Sequence, residues 1–355
     1  MAVSDAALQW LATVLVVLVP VGLLLASARR GRGLIIGVLS TGLVAAVASL
    51  TVSSLVSSTA DLPARVLDAA FAAAVAASLV VLTARRLGSV GAAVFAGSWS
   101  LLVFQPVFVA TMGSLPSLVQ TVFGAVDYAA VHASHVAAAT SVIALTMLPR
   151  PALENDLTPE TGRGRSLIAA AFVAVGAMGW MLGVERIVSD ATGRIALNAL
   201  VGLALGAAVW VLTTRIAGRP FDARGVVWGV VTAWGAIGLG LAFLSPMALA
   251  STTVFAAAAA AAVVARGRAG ADRGRRAAVA VIVAVSVGGV VLALLADGFG
   301  MAATGSTALV LGQLGAVLVI GIAAFMLGLL CGGMALVVVK GSTIRSSSRP
   351  SSRCG

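Results

Sequence analysis

Eleven stretches of this chain are each apolar for about the 20 residues that a helix needs to cross the hydrocarbon core of a bilayer. They run 7–27, 34–57, 64–84, 88–110, 122–148, 166–188, 195–214, 226–245, 249–265, 277–296 and 305–339. Such repetition leaves few folds open. In lipid every backbone N–H and C=O must be paired inside the protein, so a spanning segment is a helix or part of a closed barrel. Runs of this length, without strict alternation, are helices. The expected fold is an all-α polytopic membrane protein with eleven transmembrane helices. Composition agrees: charged residues make up 10% and mean hydropathy is +1.10, where a soluble domain carries about 25% charge. Lipid has to serve as its solvent.

The connectors alternate in charge. One set carries Arg29, Arg30 and Arg32; Arg85 and Arg86; Arg150, Arg163 and Arg165; Arg215, Arg219 and Arg224; Arg266, Arg268, Arg273, Arg275 and Arg276; and Lys340, Arg345, Arg349 and Arg353. The other set carries only Arg65, Arg186 and Arg194. Basic residues mark cytoplasmic loops, so the N-terminus is expected outside and the C-terminus inside. The net charge of +11 therefore reports topology. A nucleic-acid partner would need a basic face interleaved with aromatics, and the chain has a single tyrosine. No basic residue precedes the run from Ala7 to Ser27, which reads as a first spanning helix and not as a cleaved signal.

The longest inner connector, with Pro151, Pro159 and Gly164, divides five runs from six. The expected organisation is a first five-helix half at 1–148, a cytoplasmic linker at 149–165 and a second half at 166–296. A long eleventh helix with its preceding outer loop follows at 297–340, then a cytoplasmic tail at 341–355. Five helices plus five about a midpoint fits a pseudo-inverted repeat. The last run exceeds a span, which predicts a tilted helix or one that continues into the cytoplasm. Cys331 lies in that run and Cys354 in the tail, a placement that does not suggest a structural disulfide. Alanine-rich and glycine-rich runs suit close helix approach in lipid.

Both histidines of the chain, His132 and His135, fall with Asp127 in one stretch, Gly124 to Ser141. Ionisable groups at membrane depth are costly, so they are candidates for function. Asp127 either stabilises an incoming cation or caps a helix start by accepting backbone N–H bonds. His135, about two turns deeper, is the stronger candidate for function, its uncharged imidazole offering one donor and one acceptor. The alternative is a histidine bonded to a neighbouring carbonyl. His132 lies three residues earlier, on the same face of an α-helix, and suits a helix contact or a second ring beside His135. Phe71 can stack on a cation or simply pack. Asp68, one turn before it, reads as a solvated helix start or as extra negative charge at an entrance. Two histidines on one helix do not make a metal site. No nucleophile–base pair and no phosphate-binding loop stands out, so neither an enzyme nor a cofactor is expected.

The order of several segments resembles the ammonium transporter (Amt/Rhesus) family. Gly-Ala-Val-Asp-Tyr-Ala at 124–129 is similar to the family's Gly-Ala-Leu-Asp-Phe-Ala-Gly-Gly segment, and a histidine stands eight positions after the aspartate, at His135. The stretch 80–89 looks like the family's third-to-fourth helix junction, and Phe104-Gln105-Pro106 like its Tyr-x-Pro. Phe71 falls where the family has one gate phenylalanine. Gly179-Trp180, Asn198 and Gly312-Gln313-Leu314-Gly315 also look like family positions. Trp180, Asn198 and Gln313 themselves read as packing or interhelical hydrogen-bonding residues.

The resemblance implies ammonium recruited outside, loss of a proton, and ammonia passing an apolar His-lined pore in each subunit of a homotrimer in the cell membrane. It departs at four places. Val285, in Val285-Ser286-Val287-Gly288-Gly289, takes the place of the second pore histidine. The second gate phenylalanine falls at Gly183, the outer tryptophan falls near Met112, and Ala130 stands in the Gly-Gly position. The tail also lacks the acidic, aromatic signature for a regulatory partner. A non-conducting or altered-substrate relative, acting as a sensor or scaffold, is the alternative reading.

Overall fold

The computed structural model describes residues 4–27, 31–56, 61–113, 116–149, 162–267 and 273–347. Most of the linker, 150–161, and the end of the tail, 348–355 with Cys354, lie outside the described residues. Among the described residues there is no strand, and eight helices are long and apolar enough to cross a membrane. The first is α1 (Asp5–Val16) continued by α2 (Leu18–Ala26), and the second is α3 (Arg32–Val56). The third, Leu62–Met112, comprises α4 (Leu62–Trp99), a π turn at Ser100–Phe104 and α5 (Gln105–Met112).

This third stretch is a hairpin. Gly88 has φ 72° and ψ 173°, a backbone that only glycine adopts readily. Val80 and Ala93, on either side of it, both lie against Gly37 of α3. The reversal falls between the apolar runs 64–84 and 88–110, and it brings the rings of Phe71 and Phe108 to 6.2 Å. Further along come α6 (Leu118–Phe123), α7 (Ala137–Met147), α8 (Arg163–Gly183), α9 (Thr192–Ile216) and α10 (Ala223–Ile237). The chain then forms α11 (Pro246–Arg266), α12 (Arg273–Leu295), the short α13 (Met301–Thr304) and α14 (Ala308–Ser347). The last has 40 residues, roughly 60 Å of helix, which fits the expectation of a helix longer than a span.

Two apolar runs are interrupted where the sequence predicts continuous helix. In 122–148, α6 ends on Gly124 with φ 63° and the backbone is irregular as far as Ala130; helix resumes at Val131, with a π turn over His132–Val136. In 226–245, α10 stops at Ile237, and three glycine-bracketed turn residues lead to a short 3-10 turn at Leu241–Phe243. Hydropathy stays high through both breaks, so periodicity gives no sign of them. The freed backbone groups pair with each other: Tyr128 N–H donates to the Leu239 carbonyl (2.9 Å) and Ala129 N–H to that of Gly238 (2.8 Å). Irregular backbone at membrane depth is stable only when buried and satisfied like this.

Several other carbonyls of the two breaks find side chains. Trp180 Nε1–H donates to Ala129 O, the Asn198 amide to Leu241 O and Leu244 O, and the Gln313 amide to Val126 O, at 2.8–3.2 Å. These few polar groups in an apolar chain serve the two breaks, as the interhelical reading of all three predicts. Elsewhere small residues bring helices together. A Cβ at Gly22 would lie 2.7 Å from Ala169 O of α8, and one at Gly229 would lie 2.7 Å from Ala207 Cα of α9. Arginines cap helix C-termini, where carbonyls lack partners and the helix dipole is negative. Arg86 donates to Thr146 O and Leu148 O, Arg165 to Ser27 O, and Arg219 to Ala265 O.

Candidate functional site: an aromatic barrier between two cavities

Asp127 closes the first break. One carboxylate oxygen accepts from Val131 N–H (2.6 Å); the other accepts from His132 N–H (2.9 Å) and lies 2.7 Å from His132 Nδ1. It is thus the cap of the helix that carries both histidines, and its side chain is 2% exposed. Ala130, just before that helix, has φ 50°. This is the left-handed region where an alanine is strained, and it is one of the positions where the resembling family has glycine.

His132 and His135 do not share a face. The π turn advances less per residue than an α-helix, so a three-residue step no longer returns to the same side. His132 turns to Asp127, and its Nε2 is buried without a partner among the described residues. His135 turns the other way. Its Nδ1 lies 2.8 Å from Ser134 Oγ, and the ring packs edge-on against Trp234 at 4.6 Å. Val285 is its neighbour: a methyl at Gly235 would stand 2.9 Å from His135 Cδ2 and 3.1 Å from Val285 Cγ2. The valine therefore stands beside the histidine, as the motif order suggests.

Phe71 is wholly buried. It stacks on Trp180 at 4.2 Å, meets Phe108 edge-on, and Trp180 in turn meets Trp234 at 5.5 Å. Gly183 has no space for a second gate ring, since a Cβ there would already lie 2.7 Å from Ala12 Cβ and 3.2 Å from both Leu67 methyls. Trp180, one turn earlier on α8, covers Phe71 instead. A column Phe108–Phe71–Trp180–Trp234–His135 results, and sequence reasoning missed the part of Trp234 in it. The signal was its place among six tryptophans, six residues after Trp228 on one helix.

On the Phe108 side of the column is a cavity of about 80 Å³ with Asp68, Gln105, Met112 and Arg186 in its wall. Asp68 is not a solvated helix start: it is buried, and Arg186 donates to its Oδ1 at 2.7 Å. Arg186 is set for this by a left-handed backbone, φ 61°, and by Gln9, whose amide donates to the Arg186 carbonyl at 2.7 Å. On the His135 side is a larger cavity of about 290 Å³. Its wall includes Ser78, Ser134, His135, Trp180, Trp228 and Trp234 among aliphatic residues, and among the described residues no carboxylate, lysine or arginine lines it.

The fold and this barrier define a class: an all-helical, multi-pass membrane protein with two cavities separated by stacked rings. Solved structures give that class a closer likeness. The chain resembles Mep2 of Candida albicans at 16% identity and a TM-score of 0.74, with 92% of this chain and 83% of that one covered. Against Mep2 of Saccharomyces cerevisiae the identity is 14% and the TM-score 0.74, over 93% and 85% of the two chains. A protein described as a sensor Amt protein aligns at 16% identity and TM-score 0.73, over 95% and 91%. The chain has the fold these proteins share. No protein-family model matches its sequence, and no curated protein sequence does either.

Proposed function

We propose that this protein is an ammonium transporter of the plasma membrane, recruiting ammonium outside and passing ammonia inward along the aromatic column. The reading joins the ammonium-transporter resemblance of the Asp127–His135 segment to the Mep2 and Amt likeness of the whole fold. In it the chain crosses eleven times, N-terminus out and C-terminus in. The halves 1–148 and 166–296 form an inverted repeat joined by 149–165, and three copies make a homotrimer. Asp127 holds the helix start and lends negative charge, Phe71 guards the column, and His135 lines the path beyond it. His132 supports the cap through Asp127.

The observation that carries the reading is the His135 cavity, which has no ionised wall residue. Moving a bare cation into such a place costs several kcal/mol even after relaxation, whereas ammonia is neutral and keeps one or two hydrogen bonds. The path selects by refusing charge, and binding and passage need no covalent chemistry or cofactor. Proteoliposomes containing the protein test this: an inward ammonium gradient alkalinises the lumen, and His135→Ala changes the rate.

A second reading is a non-conducting sensor or scaffold of the same fold. Its support is specific: Phe71 and Trp180 are stacked and wholly buried, and Arg186 already occupies the Asp68 carboxylate. Saturable ammonium binding to folded protein without any flux is the result that selects it.

A further inference from the structure

A hydroxyl on a spanning helix ordinarily donates to a nearby backbone carbonyl, because lipid offers it no other partner. Four hydroxyls of α3 do so: Ser40 donates to Gly37 O, Thr41 to Ala93 O, Thr51 to Val47 O and Ser54 to Leu50 O. Ser49 and Ser53, one turn apart on the same helix, bond to no described residue. Both stand in the wall of the cavity on the Phe108 side, and Ser49 is only 2% exposed. Neither hydroxyl is among the buried polar atoms sealed from all surface. The same wall holds two open acceptors. Asp68 gives Oδ1 to Arg186 and leaves Oδ2 without a described partner; Gln105 leaves Oε1 so, while its Nε2 is sealed away. Arg186 spends Nη2 on Asp68, and with its side chain 29% exposed its other N–H groups stay available. Buried polar groups without partners are unfavourable, so this much unmet capacity in one wall calls for an occupant.

From this we infer that the cavity binds a small neutral molecule of the amide class, with several N–H donors and one carbonyl, urea being the simplest. Size excludes ammonium as the matching occupant. The cavity of about 80 Å³ is between two and three times the roughly 30 Å³ share of a water-sized molecule, which suits a ligand of a few heavy atoms. Charge excludes ions. The Asp68–Arg186 pair sums to zero, so a cation meets the guanidinium and an anion meets the carboxylate. A neutral amide uses both: its N–H groups donate to Asp68 Oδ2 and Gln105 Oε1, and its carbonyl accepts from Arg186 or a serine hydroxyl. On the Phe108 side of the column such a molecule obstructs the approach to Phe71 in a transporter and is the signal in a sensor. The site goes beyond the ammonium reading and does not depend on it.

Urea, acetone, guanidinium and acetate make a matched set of planar molecules of one size: neutral with donors, neutral without them, positive and negative. They are titrated into full-length protein in nanodiscs, with no ammonium present and against sodium chloride blanks. The methyl signals of the nine methionines are followed by NMR. Met112, in the cavity wall, reports occupancy, and Met112→Leu identifies its signal. Urea is expected to shift that signal saturably, in the millimolar range natural to so small a ligand, with the other methionines unmoved. Acetone, guanidinium and acetate should each bind about tenfold more weakly or not at all. Ser49→Ala should weaken urea binding about three- to tenfold, the worth of one net hydrogen bond. Ser53→Leu, which fills the space, should abolish it in folded protein. No saturable shift of Met112 before the other methionine signals begin to move overturns the proposal. So does guanidinium, acetate or acetone binding as tightly as urea, or urea binding that either serine variant leaves intact. A transport failure does not bear on any of these outcomes.

Discussion

The two sides of the aromatic column are built on opposite electrostatic plans. On the Phe108 side a buried carboxylate is paired with an arginine. On the His135 side a cavity more than three times as large has no ionised wall residue. Charge is thus tolerated only where a specific partner holds it, and a free cation gains nothing by passing Phe71. The Asp68–Arg186 pair also shows that the carboxylate found in that cavity wall among the described residues is already held by a guanidinium.

Substitutions on each side sharpen this contrast. The largest effect is expected for Asp127→Ala, which removes the cap of two backbone N–H groups and leaves the His132 imidazole buried and unpaired. The loss should be about 2–4 kcal/mol, from a cap and one unsatisfied polar group together, read as a fall in thermal stability of purified protein. Arg186→Gln should cost about 2–3 kcal/mol, toward the low end for breaking a buried pair because the guanidinium is 29% exposed. Adding Asp68→Asn should recover most of that loss. If the double variant is no better than the single one, the pair is not what holds Arg186 there.

A matched swap compares the two sides directly. Val285→Thr puts a hydroxyl into a buried, mostly apolar surrounding beside His135 and should destabilise by about 1–2 kcal/mol. Val52→Thr, at the wall of the polar cavity, should be nearly neutral. Equal costs at both positions would erase the contrast. The smallest effect is a gain: Ala130→Gly relieves the left-handed alanine and should stabilise by about 0.5–1 kcal/mol, seen as a raised melting temperature.

Much of this was legible in the residues because lipid imposes strict accounts. The apolar runs locate helices, and the family resemblance of the segment from Gly124 singles out Asp127 and His135. Trp180, Asn198 and Gln313 stand out as polar groups that must bond across helices, and all three do. Other features leave no such trace. The breaks at 124–130 and 238–245 lie inside runs of unchanged hydropathy, since buried irregular backbone is flanked by the same alanines, valines and glycines as helix. The π turn, which sends His132 and His135 to different sides, is set by that break and not by the spacing of the two residues. The Asp68–Arg186 pair joins residues 118 positions apart, a contact that only the packed fold creates. Trp180 over Phe71 likewise depends on how close α8 comes through Gly176, Gly179 and Gly183 to the first two helices.

The central claim, that only the neutral species passes the uncharged cavity, is tested most directly by recording lumen pH and membrane current together as proteoliposomes meet an ammonium jump. The account predicts alkalinisation of the lumen without a matching current, and a rate altered by His135→Ala. A current with the lumen pH unchanged or falling would contradict it, because ammonium would then be crossing with its charge.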